Sequence, residues 1–130
     1  MSLRQSLLVL IGVLLALPGC ASATDMAQPI QRDPKAYVVV ESTVTDPVVY
    51  EAYKAAIAPV AIKHGGRYIV RAGRTVSIEG APPEGRIVLF EFPSFDQAMA
   101  FERSPEALKA SELRNRSAKA RIYVVEGVVP

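Results

Sequence analysis

His64 is the only histidine of the chain. Its ring is the side chain whose ordinary titration falls nearest neutral pH, which makes it a candidate proton carrier. It stands just before Gly65-Gly66, at the end of a helical stretch, where a protonated ring also interacts favourably with the helix dipole. The other candidates are charges set inside apolar strands. Arg67, Ile69 and Arg71 alternate along one strand, which places them on one face. Glu41 shares a face with Tyr37 and Val39, and Glu91 with Ile87 and Leu89. An unpaired charge in such a setting is costly, so these residues are expected to be paired, within a subunit or across a dimer. Arg71–Glu91 is the leading pair, because their strands are hairpin neighbours. The pair serves either as an interface salt bridge or as a polar pocket, where Arg71 binds an anionic ligand and Glu91 acts as a base. Tyr53, close to Tyr50 on the first helix, reads as core or pocket wall. The candidate ligand-binding set is therefore Arg67, Arg71, Glu41, Glu91 and Tyr53. The candidate catalytic residues are His64 and Glu91.

Several chemistries are excluded on composition. One cysteine and one histidine supply no thiolate or imidazole cluster, so no metal site is expected. No cofactor is implied. Gly65-Gly66 follows a helix, whereas a phosphate loop follows a strand and opens a helix; the two glycines read as a helix stop with positive backbone angles. Arg114, Arg116, Lys119 and Arg121 form a basic cluster without aromatic partners, which reads as solvated surface. A formal net charge of +2 makes no strong electrostatic claim on nucleic acid.

The elements that must position these residues follow from periodicity. Ala36–Val44 is β-branched and reads as a strand. Asp46-Pro47 opens a helix, with Asp46 as cap and Pro47 in the first turn. Tyr50, Tyr53, Ile57, Val60 and Ala61 share one face of it, and Pro59 should kink or tighten it. Residues 67–78 read as a second strand, bent near Gly73, and residues 80–85 as a turn. A third strand covers 86–92. Ser94 and Gln97 form a capping box for a short helix, Ser104-Pro105 starts another, and 120–128 is the last strand. Phe90, Phe92, Phe95 and Phe101 read as core. The order is βαββαβ, an α+β ferredoxin-like arrangement. Strands apolar on both sides, with Tyr37 and Val39 opposite Val38 and Val40, imply burial of both sheet faces. A second copy packed sheet to sheet is the simplest cover for a domain of this size.

The N-terminus reads as a secretory leader over residues 1–20. Arg4 precedes an apolar run at 7–17, too short for a spanning helix. Leu17-Pro18-Gly19-Cys20 resembles a lipobox, in which Cys20 is acylated and anchors the protein to a membrane. Ala21-Ser22-Ala23 offers a second cut that would discard Cys20 and release a soluble protein. Either route places the chain outside the cytoplasm, in a bacterial cell envelope. Residues 21–35, broken by Pro29 and Pro34, read as a flexible tether, leaving 36–128 as the one domain.

Within that domain His64-Gly65-Gly66-Arg67-Tyr68-Ile69-Val70-Arg71-Ala72-Gly73, Glu91-Phe92-Pro93-Ser94 and Ser104-Pro105-Glu106 resemble the DUF1330 family. Ala36-Tyr37-Val38-Val39-Val40 and Val125-Glu126-Gly127 fit it too. Ala107 departs from the aromatic residue usual after Ser-Pro-Glu, which removes any pocket role of that ring. The family is similar to the dimeric α/β-barrel superfamily, so the resemblance implies two ferredoxin-like units pairing their sheets as a homodimer. It implies no particular activity. Three functions follow as expectations: a small-ligand-binding module of the envelope, a cofactor-independent monooxygenase or isomerase using His64 or a strand carboxylate, or a structural role without ligand.

Overall fold

A computed structural model gives the structure of the protein and describes residues 33–129. The expected leader, the lipidation site Cys20, the rival cut after Ala23 and most of the tether lie outside the described residues. Every strand and helix described below falls in one compact unit, Gln31–Pro130.

The elements are β1 (Ala36–Val44), α1 (Pro47–Lys63), β2 (Arg67–Arg71), β3 (Arg86–Phe92), α2 (Phe95–Arg103), α3 (Pro105–Ser117) and β4 (Ala118–Glu126). The four strands form one antiparallel sheet in the order β2-β3-β1-β4. This is the ferredoxin-like α+β fold expected from the order of elements, with the second helical segment in two pieces.

Local chemistry sets most boundaries. Asp46 caps α1, its Oδ1 accepting from the amides of Val48 and Val49 at 3.1 Å each, and Pro47 fits the first turn, where its missing N–H is not needed. The helix continues through Pro59 to Lys63. Ser104 serves two helices. Its hydroxyl donates to the Phe101 carbonyl at 2.8 Å and accepts from the Ala107 amide at 3.2 Å, closing α2 and opening α3. At α2 the capping box is formed in part: the Gln97 amide donates to Ser94 Oγ, and that hydroxyl turns back to Gln97 Oε1.

One face of the sheet carries the core. Ala36, Val38, Val40, Val88, Phe90 and Phe92 point under the helices and are buried, as are Tyr50, Tyr53, Ile57 and Ala61 of α1. Phe101 stacks on Phe92 with ring centres 5.1 Å apart. Phe95, expected in the core, is 36% exposed because it opens α2 on the outer side of the first turn.

The second strand is much shorter than expected. Pairing ends at Arg71, and residues 72–85 form an exposed loop. Glycines and prolines at 73, 80, 82, 83 and 85 deny this stretch a ladder. Ala72, at φ 53°, turns the chain out of the strand.

The paired glycines after α1 do different work. Gly65 has φ +80°, the left-handed helix stop that was expected. Gly66 has no positive φ; its need is space. A Cβ there would meet the Phe92 ring at 2.5 Å and the Ala61 carbonyl oxygen at 2.9 Å. Phe92 is fully buried against Phe101 and has little room to retreat. Gly66→Ala should therefore destabilise the fold by about 1–3 kcal/mol, the range for overpacking. Urea unfolding checks this: the midpoint should fall while the slope stays constant.

Candidate functional site

Sheet parity divides the candidate residues between two places. The face away from the helices carries three cross-strand rows. Arg67, Glu91, Tyr37 and Val125 form the first. Val70, Leu89, Val39 and Tyr123 form the second, apolar row, and Ile87, Glu41 and Arg121 the third. Both carboxylates are paired within the subunit. Glu91 Oε1 accepts from Lys35 Nζ and Arg67 Nε at 2.9 Å each, and Arg121 Nη2 donates to both oxygens of Glu41 at 2.8 and 2.9 Å. Hydrogen bonds from Lys35 and Arg67 hold the Glu91 carboxyl below the usual carboxylate range. The Arg121 pKa is raised by its hydrogen bond to Glu41. Arg121 thus leaves the basic cluster to serve this face.

Arg71 is elsewhere, and the Arg71–Glu91 pair does not form. The β2–β3 register shifts between Tyr68 and Val70, so Ile69 is an extra residue. It cancels the alternation that would put Arg67 and Arg71 on one face. Arg71 instead stands opposite Val88, on the helix side, with its guanidinium 4.8 Å above the Tyr68 ring.

There it borders a narrow cleft, partly open to solvent, between α1 and the β2–β3 side of the sheet, with a cavity volume of about 20 Å³, room for about one water. Tyr50, Tyr53 and Tyr68 wall it, Ile57 and Phe90 give it an apolar floor, and Arg71, Arg86 and Lys54 supply charge. The Tyr50 hydroxyl shares a buried hydrogen bond with Ser42 Oγ at 2.9 Å, and the Arg86 guanidinium lies 5.4 Å from the Tyr50 ring centre. Burial raises the pKa of both Tyr53 and Tyr68, against the opposing charges of Arg114 and Arg71 respectively. Both hydroxyls are therefore protonated donors at neutral pH. The candidate Tyr53 is placed in this cleft together with Arg71; Arg67, Glu41 and Glu91 are on the opposite face.

His64 lies at the end of α1, away from both places. Its Nδ1 is 2.9 Å from the Val60 carbonyl oxygen, as an N–H donor would be, and its ring meets Phe101 edge-on. Among the described residues no three or more His, Cys, Asp or Glu gather as a metal would require. Sequence reasoning missed Arg86 and Tyr68 as cleft residues. Arg86 was findable, since it shares the parity of Val88, Phe90 and Phe92.

An antiparallel sheet of this order with helices on one face defines a ferredoxin-like α+β protein. The chain belongs to the DUF1330 family, a domain of unknown function, whose profile matches residues 35–128. No curated protein matches it. Solved structures share the fold at low identity. A protein of unknown function from Rhodopseudomonas palustris is 18% identical, with a TM-score of 0.60 over 76% of this chain and 86% of its own. SnoaB, a cofactor-independent oxygenase from Streptomyces nogalater, is 14% identical, with a TM-score of 0.55 over 75% of this chain and 96% of its own. A dimeric ferredoxin-like protein of unknown function from Thermobifida fusca is 14% identical, with a TM-score of 0.52 over 73% and 92%.

The lowered Glu91 pKa fixes the sign of a pH effect. A carboxyl whose folded pKa lies below its unfolded value stabilises the fold above the unfolded value, and that contribution is lost as pH falls through the folded one. Glu91→Gln should therefore lower the melting temperature at neutral pH. The gap to the unmodified protein should close in the acid range, below the ordinary carboxylate pKa; a gap that persists there would show that the Glu91 charge is not its source.

Proposed function

We propose that this chain is a homodimeric small-ligand-binding module of the cell envelope. Two copies pair their open sheet faces, and each holds one ligand in its own α1–sheet cleft. The observation that carries the binding reading is the lining of the cleft, rings with a few polar groups as in small-molecule sites, although at about 20 Å³ it would have to widen to admit a ligand.

The dimer reading rests on the central row of the open face. Val70 and Tyr123 of that row are 37% and 41% exposed, and Val125 in the neighbouring row is 45% exposed. The apolar row lies between two ion-paired rows, an apolar centre with a polar rim, as in protein interfaces. The Thermobifida fusca protein, described as dimeric, has the same fold. A second copy fits because the same face on both partners is self-complementary under two-fold symmetry.

The leader read from the sequence would deliver the domain to the envelope, held through acylated Cys20 or released after Ala23. Fractionation of a Cys20→Ser chain tests the anchor: the protein should leave the membrane fraction, and retention there would remove it.

The oxygenase activity named for SnoaB supplies the enzymatic alternative. Here the expected proton carriers Glu91 and His64 both lie outside the cleft, and no carboxylate lines it. Passive binding is the better reading of this geometry.

The chain's five tyrosines make one experiment sufficient. Tyr50, Tyr53 and Tyr68 face the cleft, and Tyr37 and Tyr123 the open sheet face. With tyrosine rings isotope-labelled, NMR of residues 31–130 on dilution should move Tyr37 and Tyr123 alone, as the dimer dissociates. Addition of small aromatic fragments should move Tyr50, Tyr53 and Tyr68 alone. A dilution series that leaves Tyr37 and Tyr123 unchanged in a monomeric protein would overturn the dimer. Fragment shifts confined to those two rings would move the ligand into the space between sheets.

A further inference from the structure

The loop between β2 and β3 carries the alternation of a strand that has no partner. In Arg74-Thr75-Val76-Ser77-Ile78-Glu79 the β-branched Val76 and Ile78 fall on one side of an extended chain. Both side chains stand in solvent, 71% and 93% exposed. The Ala72 amide still donates to the Ile87 carbonyl at 2.8 Å, and beyond it no backbone-to-backbone hydrogen bond involves residues 73–84 among the described residues.

The far side of the sheet has the complementary need. β2 and β4 are its edges. β2 is five residues long and its register breaks at Ile69, which blunts it as a template. β4 is nine residues long, in unbroken register with β1 from Ala118 to Glu126, and among the described residues no strand pairs with its outer side. Ile122 and Val124 on its helix side are only partly buried, at the border of the core. A long, unbulged, apolar edge of this kind is ready to pair with another strand.

Charge gives the direction of pairing. Laid antiparallel on β4 with Val76 opposite Val124, the loop segment puts Ile78 opposite Ile122, Arg74 opposite Glu126 and Glu79 opposite Arg121. Apolar side chains meet on the helix side and opposite charges meet at both ends, as favourable cross-strand pairs do. Laid parallel, the segment would bring Arg74 toward Lys119 and Arg121, and Glu79 toward Glu126. Arg74 and Glu126 are exposed and form no salt bridge among the described residues. The chain's own β4 cannot be reached in the antiparallel register. The loop leaves β2 where β4 begins, since Arg71 stands opposite Val88, Arg86 opposite Ser42 and Ser42 opposite Ala120. Glu126 is at the other end of β4, about 20 Å from Ala120. Only Ala72 and Gly73 lie between Arg71 and Arg74, a reach of about 11 Å. A second copy has no such restriction.

We propose that Arg74–Glu79 is an arm that adds an antiparallel strand to the β4 edge of a second copy. Main-chain hydrogen bonds hold the arm, and Val76 and Ile78 complete the border of the other copy's core beside Ile122 and Val124. This rests on the dimer reading and names the segment that fastens the two copies together. Each copy gives one arm and receives one, as two-fold symmetry requires. Half of the loop 72–85, drawn out, spans about 23 Å, more than the ~10 Å between packed sheets.

Residues 31–130 contain no cysteine, so introduced cysteines report the register. A Ser77→Cys chain mixed with a Tyr123→Cys chain should form a disulfide-linked heterodimer on mild oxidation, because directly opposed residues lie about 4.5–5.5 Å apart, within disulfide range. Ser77→Cys mixed with Lys119→Cys should not. Ile78→Lys should raise the dimer dissociation constant at least about tenfold, read by sedimentation, and leave the melting of the dilute monomer unchanged, since that side chain is exposed. Arg74→Glu and Glu126→Arg should each weaken the dimer, and the two together should restore it. A dimer that keeps its dissociation constant in Ile78→Lys and gives no link between positions 77 and 123 would overturn the arm and leave the sheet-to-sheet dimer standing. Loss of the link when residues 24–30 are restored would give the β4 edge to the tether and overturn the arm. A protein that stays monomeric at every concentration would overturn the dimer reading and this inference with it.

Discussion

The contact between Phe92 of β3 and Phe101 of α2 ties the two layers of the fold together. The rings stack 5.1 Å apart and both are buried. Phe90 extends the group, 5.9 Å from Phe101 and 4.2 Å from Tyr68. This row pins α2 over the sheet. Ser104 then fixes the turn from α2 into α3 through its two hydrogen bonds. At the end of α3, the Ser117 carbonyl accepts from the amides of Thr45 and Asp46 at 2.8 and 3.1 Å, which sets where α1 begins. The space left between α1 and the β2–β3 side is the cleft. Its shape is thus a consequence of the aromatic row, and Gly66 is needed because a side chain there would displace the ring on which the row is built.

Much of this was legible in the sequence. β1 and β3 start and end where their β-branched runs do, because both are core strands whose apolar alternation is uninterrupted. Asp46-Pro47 and Ser104-Pro105 mark helix starts through local hydrogen bonds that need no tertiary partner. α1 runs through Pro59 to Lys63, ending just before the expected Gly65-Gly66 stop. The fate of residues 72–78 was misjudged because β-branched Val76 and Ile78 suggest a strand, whereas pairing needs a partner strand within reach. The face of Arg71 was not legible at all. A bulge is a property of two strands in register, and one strand's sequence does not contain its partner. The same extra residue, Ile69, that broke the expected Arg71–Glu91 pair put Arg71 beside Tyr68.

Two carboxylates on the open face illustrate how a half-buried charge is made tolerable. Glu91 and Glu41 side chains are each 13% exposed, too little for full hydration, and each stands opposite an arginine on the neighbouring strand. The Arg121–Glu41 pair is neutral, while Glu91 is shared by Arg67 and Lys35 in a cluster with one positive charge in excess. An apolar row flanked by these pairs can be covered by a second copy without stranding either carboxylate, since neither needs a partner from the other subunit. The sequence expectation left open whether these charges were paired within a subunit or across a dimer; the register places both pairs within it.

The contrast between the two faces is the basis for reading function from this fold. Side chains of the same types occupy both. On the open face each arginine of the strands meets a carboxylate. On the helix side Arg71 and Arg86 meet only rings, a buried Nε lacks an acceptor, and the lining holds no acid. Arg86 carries a desolvation cost that exposed Arg71 does not. The protonated tyrosine hydroxyls nearby cannot supply the missing negative charge, since burial holds Tyr53 and Tyr68 in their neutral form. Arg71 is exposed and hydrated, so among the described residues Arg86 Nε is the one buried side-chain donor left without an acceptor.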